Sequence, residues 1–377
     1  MSRTTVTMFA RLASRLAAPL ARSLTSSATA RALGSSSLAA AAAAAAAGAT
    51  LVTFAEPAPA FKTDKIQLKD GRVIACRVLG DPNGVPVVAI HGMSSSHLTW
   101  LPKNDAPIES VASGVRLIAI DRPGYGGSSN PPACYSYAHF VRDLTEVCDA
   151  LGVEHFCVAG HSSGGPYALA AAALLPKRVL ACAAVSSDPP YLHPRCPDVV
   201  RLSDSMIADG KGGFYGRDPV AKVANWRVQT LAGEGGEDKK VRVMTPERHR
   251  WYLHTAPQLS LTAQSFAFSL DQYAWAPGVL GFVTDFTLER VPWSFRLEDI
   301  QLGERLTLWY GSKDYDPMVV GTPWMQTLVP GSQLRVVPDG KHSFKSEPKH
   351  YSAILVELRD QAKRAAAREN LYYVPFA

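Results

Sequence analysis

Phe156-Cys157-Val158-Ala159-Gly160-His161-Ser162-Ser163-Gly164-Gly165 is the stretch on which the reading of this chain turns. An apolar run suited to a strand, Phe156 to Ala159, enters Gly160-His161-Ser162-Ser163-Gly164, and the small residues from Gly165 to Leu175 read as a helix. Gly-x-Ser-x-Gly between strand and helix describes a strained turn that presents its serine. It needs flanking glycines because a β-carbon there would clash. A serine hydroxyl is a poor nucleophile until a histidine can take its proton. A buried carboxylate must then orient that histidine and stabilise its cation.

Candidates for both partners lie downstream. Leu306-Thr307-Leu308-Trp309-Tyr310 leads into Gly311-Ser312-Lys313-Asp314, a carboxylate on the loop that leaves a strand. Leu334-Arg335-Val336-Val337 leads into Asp339-Gly340-Lys341-His342, a histidine on the loop that leaves the next one. Two more stretches share this form. Val87 to Ile90 runs into His91-Gly92-Met93, and Ile118-Ala119-Ile120 runs into Asp121-Arg122-Pro123-Gly124-Tyr125-Gly126-Gly127-Ser128.

Taken together, these motifs resemble the α/β-hydrolases that carry a cap domain, and the resemblance covers roughly residues 62–365. It implies a doubly wound, mostly parallel sheet with an inserted helical cap, and serine chemistry without a cofactor. Serine, acid, histidine is also the chain order of that family. The resemblance makes Ser162 the nucleophile, His342 the general base and Asp314 the acid, with Asp316 and Asp188 as alternative acids. It places the oxyanion hole at the backbone amides of Met93 and Ser163. His91 is expected to brace its loop, His161 to pack beneath the cap, and Asp121 and Arg122 to form a loop-bracing pair. Relatives usually carry Gly where Lys341 stands, so this loop is expected to differ if that backbone needs a positive φ. The glycines from Gly124 to Gly127 lack the P-loop Lys-Ser/Thr and dinucleotide spacing, and read as loop geometry.

The function implied is hydrolysis of an ester, thioester or amide of a fairly apolar small molecule. A serine in place of an aspartate at the elbow argues against dehalogenase or epoxide-hydrolase chemistry. Carbon–carbon bond hydrolysis and cofactor-free perhydrolysis run on the same triad and stay open. So does a ligand-binding protein on a hydrolase scaffold, since fold alone does not dictate function. An aminopeptidase would also need a cap carboxylate, for which Glu234, Glu237 and Glu247 are candidates.

Charge excludes a nucleic-acid partner. Of the formal net charge of +6, residues 1–60 contribute +4, from five Arg and Glu56. The remainder holds 34 basic against 32 acidic residues. At helical spacing Phe9, Leu12, Leu16 and Leu20 share a face opposite Arg11, Arg15 and Arg22. A basic, amphipathic start without acids reads as an organelle transit peptide, mitochondrial before plastid. Residues 32–55 are uncharged and include Ala39 to Ala47. They match the roughly 20 residues of a membrane span, but alanine gains little from lipid. A second sorting signal or a weak anchor is the reading. The six cysteines lack C-x-x-C spacing and the histidines lack metal spacing, so free thiols and a metal-free site are expected.

At 377 residues the chain suits one large core plus an insertion. The expected organisation is a transit peptide and linker over 1–60, core over 61–187, helical cap over 188–297, and core again over 298–377. Lys65 to Leu68 and Val73 to Leu79 read as an antiparallel hairpin around Lys69-Asp70-Gly71-Arg72. Val85 to Ile90, Val115 to Ile120, Phe156 to Ala159 and Val179 to Val185 are continuous apolar runs, the mark of strands covered on both faces. Tyr137 to Leu151 and Tyr351 to about Arg368 have helical period. The cap carries Trp226, Trp251, Trp275 and Trp293, with Gly210 to Gly213 and Gly233 to Gly236 as its loops.

Overall fold

The computed structural model describes residues 63–103, 106–132, 134–203, 273–274, 276–278, 280–289 and 291–369. The targeting segment, the anchor candidate, the cap loops, Trp226, Trp251, Trp275, Glu234, Glu237 and Glu247 lie outside the described residues. The sheet and its helices belong to the unit Lys62–Ala377.

Eight strands form one sheet: β1 (Asp64–Gln67), β2 (Val73–Gly80), β3 (Val85–Ile90), β4 (Val115–Ile120), β5 (Phe156–His161), β6 (Val179–Val185), β7 (Leu306–Gly311) and β8 (Gln333–Val337). Their spatial order is β1-β2-β4-β3-β5-β6-β7-β8. The β1–β2 hairpin is antiparallel, and β2 pairs antiparallel with β4. From β4 to β8 every pairing is parallel. The apolar runs of the sequence are these strands, and β5 continues through Gly160 and His161. The alternation that stops after Val185 resumes at Leu306, and the two strands on either side of that interval, β6 and β7, are neighbours in the sheet.

Helices cover both faces: α1 (Ile108–Val111), α2 (Tyr137–Ala150), α3 (Gly164–Leu174), α4 (Asp198–Ser203), α5 (Leu280–Leu288), α6 (Asp316–Leu328) and α7 (Pro348–Glu369). Period-2 alternation in the strands sorts the side chains. Val88, Ile90, Ile118 and Ile120 pack with Phe140, Leu144, Leu169 and Met325 of α2, α3 and α6. Val87, Ala89, Leu117 and Ala119 pack with Ile354, Leu355 and Leu358 of α7. Helix α7 starts at Pro348, three residues before the sequence reading. Proline is pre-organised for a first helical turn, where its missing N–H costs no bond.

Register does the rest. Ile90 pairs with Gly160, His161 with Val185, Val185 with Trp309, and Gly311 with Val337. The carboxyl ends of five parallel strands therefore share one rim, where open α/β sheets place their ligands. The loops leaving that rim carry His91 to Met93, Ser162, Ser186 to Asp188, Asp314 and His342. All six cysteines are free thiols. Burial pushes Cys76 and Cys148 up to about 12 and Cys157 and Cys182 higher still, which leaves these four inert as nucleophiles. Among the described residues no helix is long and apolar enough to cross a membrane.

Candidate active site

Ser162 stands one residue beyond β5 with φ +56°, in the left-handed region that serine rarely enters. The neighbours hold it there: its N–H donates to Val185 O at 2.9 Å, and its carbonyl accepts from Gly165 N at 2.8 Å. A β-carbon on Gly160 would run into the Gly164 carbonyl, and one on Gly164 would lie 2.5 Å from the carbonyl oxygens of Ile90 and His91. Both glycines are thus imposed by the close approach of turn, helix and β3, which is how the motif presents its serine.

The three predicted side chains meet. Ser162 Oγ lies 2.9 Å from His342 Nε2, and His342 Nδ1 lies 2.8 Å from Asp314 Oδ1. The carboxylate can only accept, so Nδ1 carries the proton and Nε2 is the acceptor facing the hydroxyl. The Asp314 side chain is fully buried, whereas that of His342 is 23% exposed. Two further donors compensate the buried charge: Tyr315 N to Oδ1 at 2.7 Å and Ser186 Oγ to Oδ2 at 2.6 Å.

Ser186 is not legible in the sequence as part of the site. It leaves β6 with φ +46° and is held by its N–H on Trp309 O at 2.7 Å. A bond to an ionised group is worth about 1.5–3 kcal/mol. Ser186→Ala is expected to lower kcat/KM by roughly tenfold to a hundredfold, measured on an activated ester. A value within twofold of wild type would remove Ser186 from the site.

The alternative acids lie elsewhere. Asp188 accepts from Ser163 Oγ and from Tyr191 OH, each at 3.1 Å. Asp316 opens α6 on the exposed side. On the opposite flank of Ser162, a β-carbon on Gly92 would lie 3.0 Å from Ser162 Cβ, so the His91-Gly92-Met93 turn abuts the serine. Among the described residues, neither the Met93 nor the Ser163 amide donates within the chain.

His91 braces this turn as expected. Its Nδ1–H donates to Gly92 O at 2.7 Å and its Nε2 accepts from Arg122 N at 3.0 Å. Burial, then the Arg122 charge, holds it well below the usual histidine range, so it stays neutral. His161 reaches toward His342, while most of the cap beneath which it is expected to pack lies outside the described residues. Its Nε2–H donates to the His342 carbonyl at 2.9 Å and its ring lies 5.1 Å from that of His342. It therefore supports the His342 loop from the side, and burial, then Lys345, keeps it uncharged. Lys341 is not in the left-handed region; the residue that takes it in this loop is Asp339, at φ +56°.

Asp121 and Arg122 do not pair. Asp121 accepts from His97 N and Nδ1 at 2.8 and 2.9 Å, Gly127 N at 2.9 Å and Tyr273 OH at 2.9 Å. Arg122 turns the other way, onto Asp285 of α5. Burial disfavours its charge, but Asp285 together with Tyr167 and Tyr125 outweighs burial and holds the guanidinium above its ordinary value. Tyr167 OH and Tyr125 OH also donate to Asp285, at 2.8 and 2.6 Å. Both rings flank the guanidinium, with centroids at 4.7 and 4.9 Å. Asp121 is held by the His97 turn and Arg122 by α5, so the expected pair does not form. Tyr125→Phe takes one donor from a buried carboxylate. It should cost about 1–3 kcal/mol, seen as a lower denaturation midpoint; an unchanged midpoint would show that the hydroxyl contributes nothing.

Comparison with known proteins accords with this geometry. The profile of the alpha/beta hydrolase fold family matches residues 85–347. The serine hydrolase-like protein of Danio rerio is 34% identical over 105 residues, 27% of this chain and 31% of that protein. Epoxide hydrolase B of Mycobacterium tuberculosis is 35% identical over 139 residues, 36% of this chain and 33% of that one. The match thus spans about a third of each curated relative. The crystal structure of a bromoperoxidase from Bacillus anthracis superposes with a TM-score of 0.54 at 21% identity, covering 79% of this chain and all of that one. A single sheet with this strand order, a serine at the elbow and a family match across most of the chain lead to one conclusion: the protein belongs to the α/β-hydrolase fold family.

Proposed function

We propose that the protein is a serine hydrolase that cleaves an ester, thioester or amide of a fairly apolar small molecule through an acyl-enzyme. The observation that carries this reading is the continuous path from Ser162 Oγ through His342 to the buried Asp314. Ser162 Oγ attacks the carbonyl carbon as its proton passes to His342 Nε2. The imidazolium so formed sits beside the Asp314 carboxylate, which stabilises it. The carbonyl oxygen, now anionic, lies toward the Met93 and Ser163 amides, whose donors need no reorganisation as charge develops. His342 gives its proton to the leaving group, which departs. Water then repeats the sequence, releasing the acid and restoring the hydroxyl.

The mouth of the site supports an apolar leaving group. Tyr315, 65% exposed, places its ring 5.0 Å from that of His342 and offers an apolar face beside it. Serine at position 162, not a carboxylate, favours acyl transfer over the epoxide opening named for the mycobacterial relative.

Labelling of the full chain with a fluorophosphonate, followed by turnover of p-nitrophenyl esters of increasing acyl length, tests the reading. Stoichiometric labelling with multiple turnovers is the expected outcome. A folded protein that neither labels nor turns over any ester is a binding protein, not a hydrolase.

A further inference from the structure

Lys345 lies three residues after His342, in the 3-10 turn Phe344–Ser346, and is 2% exposed. Its Nζ donates to Thr99 O at 2.7 Å and stands 4.6 Å from the Trp100 ring centroid. Among the described residues, no carboxylate pairs with it. Removing an ammonium from water costs several kcal/mol even after relaxation, and a carbonyl and a ring face offset only part of that. A methionine would fill the same space without the cost. Packing alone does not account for a lysine here.

Its partners show what the charge reaches. Thr99 and Trp100 close the 3-10 turn His97–Trp100. Trp100 Nε1 donates to Ile90 O at 2.9 Å, at the end of β3, where the chain enters His91-Gly92-Met93. Tyr351 OH fixes the same turn through Trp100 O at 2.7 Å. We infer that Lys345 is a positioning residue: through Thr99 and Trp100 it ties the loop bearing the His342 base to the turn bearing the Met93 amide. This rests on the serine-hydrolase reading. It adds that base and oxyanion donor are held in register by one cation beneath them, not only by the sheet.

The groups facing this cation are Lys103 beyond the Trp100 turn, His91 at the end of β3, and His161 at the end of β5. Burial, then Lys103, lowers Lys345 to about 7, against about 10.4 for an unfolded lysine. Between those values the unfolded chain binds the proton and the folded chain does not, so folding gains stability as pH rises through that window. Below it the penalty is complete. Loss of the charge also leaves only a neutral amine at Thr99, a weaker donor than an ammonium.

The test uses the full chain, with fluorophosphonate labelling resolved into a maximal rate and a half-saturating concentration. Lys345→Met should label about tenfold more slowly at pH 6, with half-saturation unchanged, and the deficit should shrink by pH 9; about 1.4 kcal/mol of lost alignment suffices. Its denaturation midpoint at pH 6 should equal or exceed that of wild type, and the wild-type rise in midpoint from pH 7 to 10 should be absent. Labelling within twofold of wild type overturns the inference. So does a pH-independent deficit with a lowered midpoint, which would mean packing. If Lys345→Met does not fold, Trp100→Phe keeps a ring under Nζ while cutting the bond to Ile90. It should show the same slowing, and an unchanged rate overturns the tie. Wild type and Ser162→Ala are run alongside. An unlabelled wild type sinks both readings, whereas Ser162-dependent labelling with an unaffected Lys345→Met sinks only this one.

Discussion

Ser162→Ala is expected to abolish fluorophosphonate labelling and to lower ester turnover by about 10⁴- to 10⁶-fold, with the fold retained. The loss is large because, among the described residues, the other nucleophilic side chains near Ser162 are not free to take over the attack. Ser163 Oγ is committed to Asp188, and burial holds the Cys157 and Cys182 thiols protonated. What survives is the rate that the oxyanion donors and binding give to attack by water. Stability should change little, because alanine at φ +56° is no more strained than serine and the two turn hydrogen bonds are backbone bonds. Turnover, adduct mass and a thermal melt on the same preparation check this. A folded Ser162→Ala protein with wild-type turnover would end the serine mechanism.

Asp314→Ala carries the second large effect, a fall in kcat of about 10⁴-fold. Without the carboxylate nothing fixes the Nδ1–H tautomer, and nothing offsets the imidazolium formed during attack. Asp314→Asn should do less harm than that, about 10²- to 10³-fold. The reason lies in the donors around it. The Tyr315 N–H and His342 Nδ1–H both address Oδ1, so the amide oxygen turns there and its NH₂ faces Ser186, whose hydroxyl can rotate to accept. The tautomer is kept and only the charge is lost. Steady-state kinetics on both variants decide the matter. Equal losses would show that Tyr315 does not set the orientation, and full activity in Asp314→Ala would move the acid to another residue.

The sheet and the meeting of Ser162, His342 and Asp314 are legible in the sequence because each rests on local or ordered signals. Continuous apolar runs such as Val179 to Val185 suit strands covered on both faces, and each run of the parallel core ends in a loop with one chemically distinctive residue. The supporting shell is not legible, because contact between loops far apart in sequence decides it. Ser186 reaches Asp314 across 128 residues, Arg122 reaches Asp285 across 163, and Lys345 reaches Thr99 across 246. Nothing in the local pattern of Ser186-Ser187-Asp188 says which side chain faces Asp314. His161, at the variable position of the motif, reads as a cap contact for the same reason: β5 runs two residues further than its apolar stretch and brings that ring beside His342.

Ser94, Ser162, Ser186 and Asp339, four of the five left-handed residues other than glycine among those described, all lie on the loops of one rim. In landscape terms these are points of frustration, where local preference and global fold disagree. Their clustering makes the rim a place where stability has been exchanged for geometry. Asp339 is the one whose side chain makes only an exposed ion pair, with Lys313. Asp339→Gly therefore offers the simplest route to a hardier protein without touching the reacting groups, whereas the same relaxation at Ser162 or Ser186 would trade the chemistry for it.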